Sequence, residues 1–95
     1  MIRFRIQLAR AAARDLDRLS SKARDQIVQD LQALEEEPIG RPPRMKRLRG
    51  FPFPLFRLRS GDYRVIYRVD EDLVTVMRII ERKDLERALK QLGLR

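Results

Sequence analysis

The chain has 95 residues, 38% of them charged, with no cysteine, no histidine and a formal net charge of +8. This length predicts a single domain, residues 1–95, with one modest core. The missing cysteines and histidines exclude disulfides and thiolate chemistry and argue against zinc, so we expect no metal or other cofactor. With no apolar leader and no run of 18 apolar residues, the sequence predicts a cytoplasmic protein without a membrane partner.

The positive charge is concentrated in one stretch of the chain. Residues 41–68 contain nine basic residues and a single acid, Asp62, whereas residues 1–40 contain seven of each kind and residues 69–95 contain six of each. A cationic cluster of this kind costs folding stability through self-repulsion. A polyanionic partner would offset that cost, and nucleic-acid phosphates are the commonest such partner.

Sequence periodicity predicts a strand and two helices in the first half of the chain. Residues 2–6 alternate apolar and arginine side chains, as in a half-buried strand. A first helix is predicted from about Ala9, and the pair Ser20-Ser21 breaks it and offers the N-cap of a second helix, which ends over residues 35–38. The short break between them predicts a helical hairpin, and the proline-rich residues 38–43 predict a loop.

The second half of the chain predicts three strands and a final helix. Residues 55–60 and 62–69 have strand character and meet at a tight-turn sequence around Gly61. Residues 73–80 form a nearly continuous apolar run, and residues 82–92 have helical spacing. The order β-α-α-β-β-β-α predicts an α+β fold. In it the helical hairpin packs on one mostly antiparallel four-stranded sheet, and a short helix ends the chain.

Alternation in residues 63–69 separates an apolar face from a basic one. The residues of the first face are Tyr63, Val65, Tyr67 and Val69, and those of the second are Arg64, Ile66 and Arg68. We therefore expect the two tyrosines in the core rather than on a base-stacking surface, and the arginines on the opposite face of the sheet.

Three segments resemble the RelE/ParE superfamily of toxins from type II toxin–antitoxin systems. They are KRLRG at 46–50, LRSGDYRVIYRV at 58–69 and VMRIIERKD at 76–84. Together with the element order, the likeness extends over essentially the whole chain. It implies a toxin that is inhibited by a cognate antitoxin and assembles with it into a hetero-oligomer.

For RelE-type members the resemblance implies a metal-independent, ribosome-dependent mRNA endonuclease that arrests translation. In such enzymes the 2′-OH attacks the adjacent phosphate of mRNA in the ribosomal A site and leaves a cyclic phosphate. The catalytic residues implied by position are Arg57, Arg64, Arg82 and Lys83. Further candidates for binding RNA or phosphate in the basic stretch are Lys46, Arg47, Arg49, Arg59 and Arg68.

Two positions depart from the nuclease pattern. Leu55 stands where a second strand lysine is often found, and Leu89 stands where many nucleases carry a tyrosine that stacks on the substrate base. We expect Leu55→Lys to leave activity equal or to raise it. In the absence of histidine, Lys83 or Lys46 is the candidate acid or base.

Two other functions stay open beside the nuclease. One is a ParE-like inhibitor of DNA gyrase that cleaves no RNA. The other is an RNA- or ribosome-binding member whose catalysis has decayed. Translation arrest on induction would indicate the nuclease, whereas DNA damage and filamentation would indicate gyrase poisoning.

Overall fold

Five strands and three α-helices form the described part of the chain, which comprises residues 3–40 and 44–93 of a computed structural model. In chain order they are β1 (Arg5–Leu8), α1 (Arg10–Asp17), α2 (Ser21–Ala33), β2 (Met45–Leu48), β3 (Leu55–Ser60), β4 (Tyr63–Asp70), β5 (Leu73–Glu81), a 3₁₀ turn (Arg82–Asp84) and α3 (Leu85–Gly93). Ile2 of the predicted first strand and residues 41–43 of the predicted loop lie outside the described residues. Across the described ranges, none of the helices has the length and apolar character needed to span a bilayer.

The strands lie side by side in the order β1-β5-β4-β3-β2. Neighbours from β2 to β5 are antiparallel, and β1 pairs with β5 in parallel at the edge of the sheet. This arrangement confirms the predicted α+β class and the mostly antiparallel sheet. The sheet of the described residues has five strands, however, and not the predicted four.

The strand that the sequence does not reveal is β2, at the other edge of the sheet. Only four residues long, it has the exposed Lys46 and Arg47 at its centre, so it lacks the apolar alternation by which a strand is recognised. Pairing with β3, which puts Leu48 opposite Leu55, makes it a strand. The correction bears on function because it brings Lys46 next to the basic residues of β3.

In each helix of the hairpin, a side-chain oxygen accepts a hydrogen bond from a backbone amide. The hydroxyl of Ser20 accepts a hydrogen bond from the Ala23 amide at 3.2 Å, which confirms the predicted cap of α2. The carboxylate of Asp15 in α1 accepts hydrogen bonds from Arg78 Nε at 2.7 Å and from the Ile79 amide at 2.9 Å. The Asp15 hydrogen bonds join α1 directly to β5.

Apolar side chains form one cluster on each face of the sheet. Under the hairpin, the cluster includes Ala12, Ile27, Leu31, Leu34, Phe56, Leu58, Val65, Tyr67, Val74 and Val76. Under α3, it includes Leu55, Ile66, Ile80 and Ala88, with Leu85, Leu89 and Leu92 packed against them. The hairpin therefore covers one face, as predicted, and the short C-terminal helix covers part of the other.

Tyr67 lies in the core, as the alternation predicts. Its ring is stacked on that of Phe56, with centroids 5.6 Å apart, and its hydroxyl donates a hydrogen bond to the Pro38 carbonyl oxygen at 2.6 Å. Burial raises the pKa of Tyr67. The tyrosine is thus a neutral packing residue on the hairpin face and does not reach the basic face.

The antiparallel pairing of β4 with β5 puts Glu81, at the end of β5, opposite Tyr63, next to the β3–β4 turn. Gly61 has a φ of +58°, in the left-handed region that glycine adopts without strain and that short hairpin turns require. The Arg82 amide donates a hydrogen bond to the Asp62 carbonyl oxygen at 2.9 Å. This bond positions the 3₁₀ turn beside the β3–β4 turn.

Candidate functional site

Five cations surround a cleft of about 450 Å³ on the α3 face of the sheet. The lining residues are Lys46, Leu48, Arg57, Arg59, Arg64, Arg82 and Leu85. They come from three adjacent strands, from the 3₁₀ turn and from the start of α3. Among the residues that the structure describes, no carboxylate contributes to the lining, and we call this site the cationic cleft.

Strand register places cations of the cleft at directly opposite positions on neighbouring strands. Lys46 is directly opposite Arg57 across β2 and β3, and Arg59 is directly opposite Arg64 across β3 and β4. Directly opposed side chains in antiparallel strands lie on one face with Cβ atoms about 5 Å apart, and like charges there are destabilising. The fold therefore holds these side chains together against their mutual repulsion.

Arg64 is the most buried cation of the cleft, with 7% of its surface exposed, and it lies on the central strand. Its Nη1 group donates to the carbonyl oxygens of Gly61 at 2.9 Å and of Tyr63 at 2.8 Å. These bonds fix the plane of the guanidinium. Because the bonds within residues 3–40 and 44–93 use Nη1 alone, the donors on Nε and Nη2 can bind a ligand.

Electrostatic repulsion within the cleft is evident at its two inner arginines. Burial and then the neighbouring cations Arg59, Arg57 and Arg82 lower the pKa of Arg64. Burial and then Arg59 lower the pKa of Arg57. An arginine keeps its charge at neutral pH despite such shifts, because its ordinary pKa is above about 12. A bound polyanion would relieve this repulsion.

Carboxylates pair with cations elsewhere on the molecule. Arg3 pairs with Glu35 at 2.6 Å and Arg78 with Asp15 at 2.7 Å. In the described ranges, by contrast, no carboxylate forms an ion pair with the cleft residue Arg64. The charge concentrated in the sequence is therefore concentrated in space as well.

The other predicted site residues lie outside the cleft. Lys83 is exposed in the 3₁₀ turn and is not part of the lining. Arg47 and Arg49 line a neighbouring cavity of about 330 Å³ that shares Leu48 with the cleft. Arg68 lies over the Phe53 ring, 4.7 Å from its centroid, and pairs with Asp70 at 3.7 Å.

The two positions that depart from the nuclease pattern are packing residues. Leu55 is 0% exposed within the cluster under α3, and Leu89 packs against the same cluster. Neither lines the cleft. A lysine at position 55 would therefore replace a core residue, so we expect Leu55→Lys to lower stability, while its effect on activity stays a prediction.

Sequence reasoning missed a polar cluster that holds the strand end beside the cleft. The Asp30 carboxylate accepts hydrogen bonds from the Ser60 hydroxyl at 2.6 Å, from Arg44 Nη2 at 3.2 Å and from Gln26 Nε2 at 3.2 Å. Ser60 directly follows the cleft residue Arg59. The sequence carries no signal for this cluster, because its members come from α2, β3 and the segment before β2.

Metal ligands do not cluster in the described ranges, where no group of three His, Cys, Asp or Glu side chains could hold an ion. The described lining of the cleft offers guanidinium and ammonium groups. Four planar guanidinium groups and one ammonium group suit a phosphodiester, since arginine forks match phosphate oxygens in pairs.

Comparison with known proteins places the chain in a family. Residues 6–86 match the family model described as the ParE toxin of type II toxin-antitoxin systems, parDE, so the chain belongs to this family of toxins. No curated protein matches the chain.

Solved structures show the same fold in RelE proteins. The chain is similar to the archaeal RelE-RelB complex from Pyrococcus horikoshii OT3, with 26% identity, a TM-score of 0.73, and 85% of this chain and 97% of that chain covered. It is similar to the RelBE2 complex of Mycobacterium tuberculosis, with 27% identity, a TM-score of 0.72 and coverages of 85% and 100%. A mutant of E. coli RelE in the free state matches with 26% identity, a TM-score of 0.69 and coverages of 97% and 99%.

Proposed function

We propose that this toxin is an mRNA endonuclease that acts on the ribosome and binds the scissile phosphate in the cationic cleft. The observation that supports this best is the convergence of Arg57, Arg64 and Arg82 on one cleft, whose lining in residues 3–40 and 44–93 includes no carboxylate. These three residues are the arginines that the family resemblance implied on other grounds. A surface that holds like charges close together despite their repulsion is best explained by an anionic ligand that binds there.

The proposed reaction is attack of a ribose 2′-OH on the adjacent phosphate. Negative charge accumulates on the phosphorane, and fixed positive donors stabilise it most when they need no rearrangement. Arg64 meets this requirement, because its guanidinium is already held by the carbonyl oxygens of Gly61 and Tyr63. The ribosome would contribute by orienting the mRNA in line for attack.

We also propose a protein antitoxin as the partner of this chain. The P. horikoshii and M. tuberculosis relatives were solved as toxin–antitoxin complexes. An acidic or disordered segment of such a partner could cover the cationic cleft and fold as it binds. Co-expression of the neighbouring gene should then restore growth and yield a complex that co-purifies.

The test of the nuclease is primer extension on mRNA incubated with the purified protein, with and without translating ribosomes. We expect breaks within the A-site codon only when ribosomes are present. Arg64→Ala should lower the cleavage rate about 100- to 1,000-fold, as loss of a fixed transition-state donor does. The control is Arg3→Ala, which removes an exposed arginine on the far side of the molecule and should cleave at the wild-type rate. Equal cleavage by wild type and Arg64→Ala would contradict the proposed site.

A gyrase inhibitor is the second candidate, and two observations favour it. The family model that matches the chain is that of the ParE toxin. Leu55 and Leu89, at positions where the nuclease pattern has a lysine and a tyrosine, are packing residues. Inhibition of supercoiling by purified gyrase, without ribosome-dependent cleavage, would establish this function instead. Salt-sensitive ribosome binding with neither activity would indicate a decayed enzyme.

A further inference from the structure

We propose that Lys46 is the general acid of this nuclease and protonates the leaving 5′-oxygen. The inference rests on the proposed endonuclease function and names the proton donor that the family resemblance leaves open. It follows from the composition of the cleft lining and from the register of β2 on β3.

Departure of the 5′-oxygen requires a proton, because an alkoxide is a poor leaving group near neutral pH. Arginine holds its proton too tightly to donate it at a useful rate, since its ordinary pKa is above about 12. A lysine ammonium carries a proton at neutral pH in any ordinary environment and can release it to a stronger base such as a developing alkoxide. The donor should therefore be a lining residue other than arginine.

Only Lys46 meets this condition among the described residues of the lining, whose other members are arginines and leucines. The other candidate lysine, Lys83, is exposed and does not line the cleft. The hydroxyl of Tyr67 is directed to Pro38 on the opposite face of the sheet.

Lys46 is placed where it can reach a phosphate held by the arginines. It lies directly opposite Arg57, so the two side chains leave the sheet on the same face, about 5 Å apart at Cβ. Its backbone is fixed by the buried neighbour Met45, while its flexible stem and three rotatable donors can follow a leaving group.

The charged residues that share the cleft with Lys46 in the described part of the chain are arginines. They are Arg57 and Arg59 from β3, Arg64 from β4 and Arg82 from the 3₁₀ turn. A phosphate held by these arginines would therefore lie in the same cleft as the Lys46 ammonium group.

The step balances without any cofactor. The 2′-oxygen forms a bond to phosphorus, the bond from phosphorus to the 5′-oxygen breaks, and its electron pair remains on the 5′-oxygen. The ammonium of Lys46 gives that oxygen its proton. Solvent water takes the proton of the 2′-OH and, after product release, returns one to Lys46.

The test replaces Lys46 by arginine, which keeps the positive charge but holds its proton too tightly to donate it. In single-turnover cleavage on ribosomes, Lys46→Arg should be slower than wild type by about 100-fold or more, the usual contribution of general acid catalysis. Ribosome affinity should change by less than threefold. The matched control is Lys22→Arg, an exposed lysine on α2, which should cleave as wild type.

A second substrate separates proton donation from a structural role. An mRNA with sulfur in place of the bridging 5′-oxygen has a leaving group that needs no proton. Lys46→Arg should cleave this substrate at nearly the wild-type rate, whereas a misfolded or misplaced site would stay slow on both substrates.

Three outcomes would overturn the assignment of Lys46. The first is that Lys46→Arg cleaves mRNA at the wild-type rate. The second is that Lys46→Arg is slow and stays slow on the sulfur-substituted mRNA. The third is that Lys83→Arg, and not Lys46→Arg, is slow on ordinary mRNA and regains its rate on the sulfur-substituted one. The proposed nuclease would survive all three. Failure of the wild-type protein to cleave any mRNA on ribosomes would instead overturn the nuclease, and the general acid with it.

Discussion

Leu55 illustrates how one residue can have opposite meanings in the sequence and in the fold. Beside a basic hairpin, a leucine at a position that often carries lysine suggests a missing catalytic group. In the structure its side chain is 0% exposed and packs with Ile66, Ile80 and Ala88 under α3. The position therefore contributes to attaching α3 and not to the chemistry of the cleft.

We predict that Leu55→Lys destabilises the protein by about 3–5 kcal/mol, because it buries an ammonium group with no carboxylate beside it. Leu55→Met, which conserves volume, should cost less than about 1.5 kcal/mol. Urea unfolding followed by circular dichroism measures both. A Leu55→Lys protein as stable as wild type would show that the site can expose the lysine.

A single carboxylate adds hydrogen bonds to the apolar contact between α1 and β5. Asp15 accepts hydrogen bonds from Nε and Nη2 of Arg78 and from the Ile79 amide, and its side chain is 10% exposed. The hydrogen bond to Asp15 is the main reason that the pKa of Arg78 is raised. Without Asp15, a half-buried guanidinium and a backbone amide would both lose their acceptor.

We predict that Asp15→Ala lowers the free energy of unfolding by about 2–3 kcal/mol, since it leaves three N–H donors without their acceptor. Asp17→Ala, in the same helix but exposed, should change stability by less than about 0.5 kcal/mol. Thermal and urea unfolding of the two variants provide the comparison. Equal stabilities would mean that solvent replaces the Asp15 contacts at no cost.

The edge strand β2 has two roles that both require charge. Exposed lysine and arginine at an edge discourage pairing with other chains, and β2 carries Lys46 and Arg47 there. The register with β3 directs Lys46 to the α3 face, where it lines the cleft. One short strand thus protects the sheet and supplies the proposed proton donor.

At the scale of the whole molecule, the uneven charge predicts how binding responds to salt. Each phosphate neutralised by a cation releases counterions, with a slope of about −0.7 in log K against log salt for single-stranded nucleic acid. Removal of one cleft cation, as in Arg57→Ala, should make the slope shallower by about 0.7. Fluorescence anisotropy of a short single-stranded RNA over a salt series measures it.

The control for the salt experiment is again Arg3→Ala, because Arg3 pairs with Glu35 away from the cleft. Its slope should equal that of the wild type. If both variants shift the slope equally, the RNA is bound by the general positive charge of the protein, and the cationic cleft is not its site.

Local patterns were sufficient to predict most of the fold. Alternation around Val65, the apolar run of β5 and the cap at Ser20 depend on neighbours in sequence, and all three are confirmed. The strand β2 could not be predicted in this way. Its four residues become a strand only because β3 lies beside them.

The sequence by itself determined that the positive charge is concentrated in one stretch, that a β-hairpin carries part of it and that the family is that of the RelE/ParE toxins. It could not determine which cations share a site, because this depends on strand register and on which strand ends lie next to each other. Pairing of β2 with β3 places Lys46 in the cationic cleft, and the hydrogen bond from the Arg82 amide to the Asp62 carbonyl oxygen places Arg82 there. Lys83, the next residue along the chain, was left outside the lining. Tertiary structure decided these placements because the site consists of side chains from separate strands and a turn, which only folding brings together.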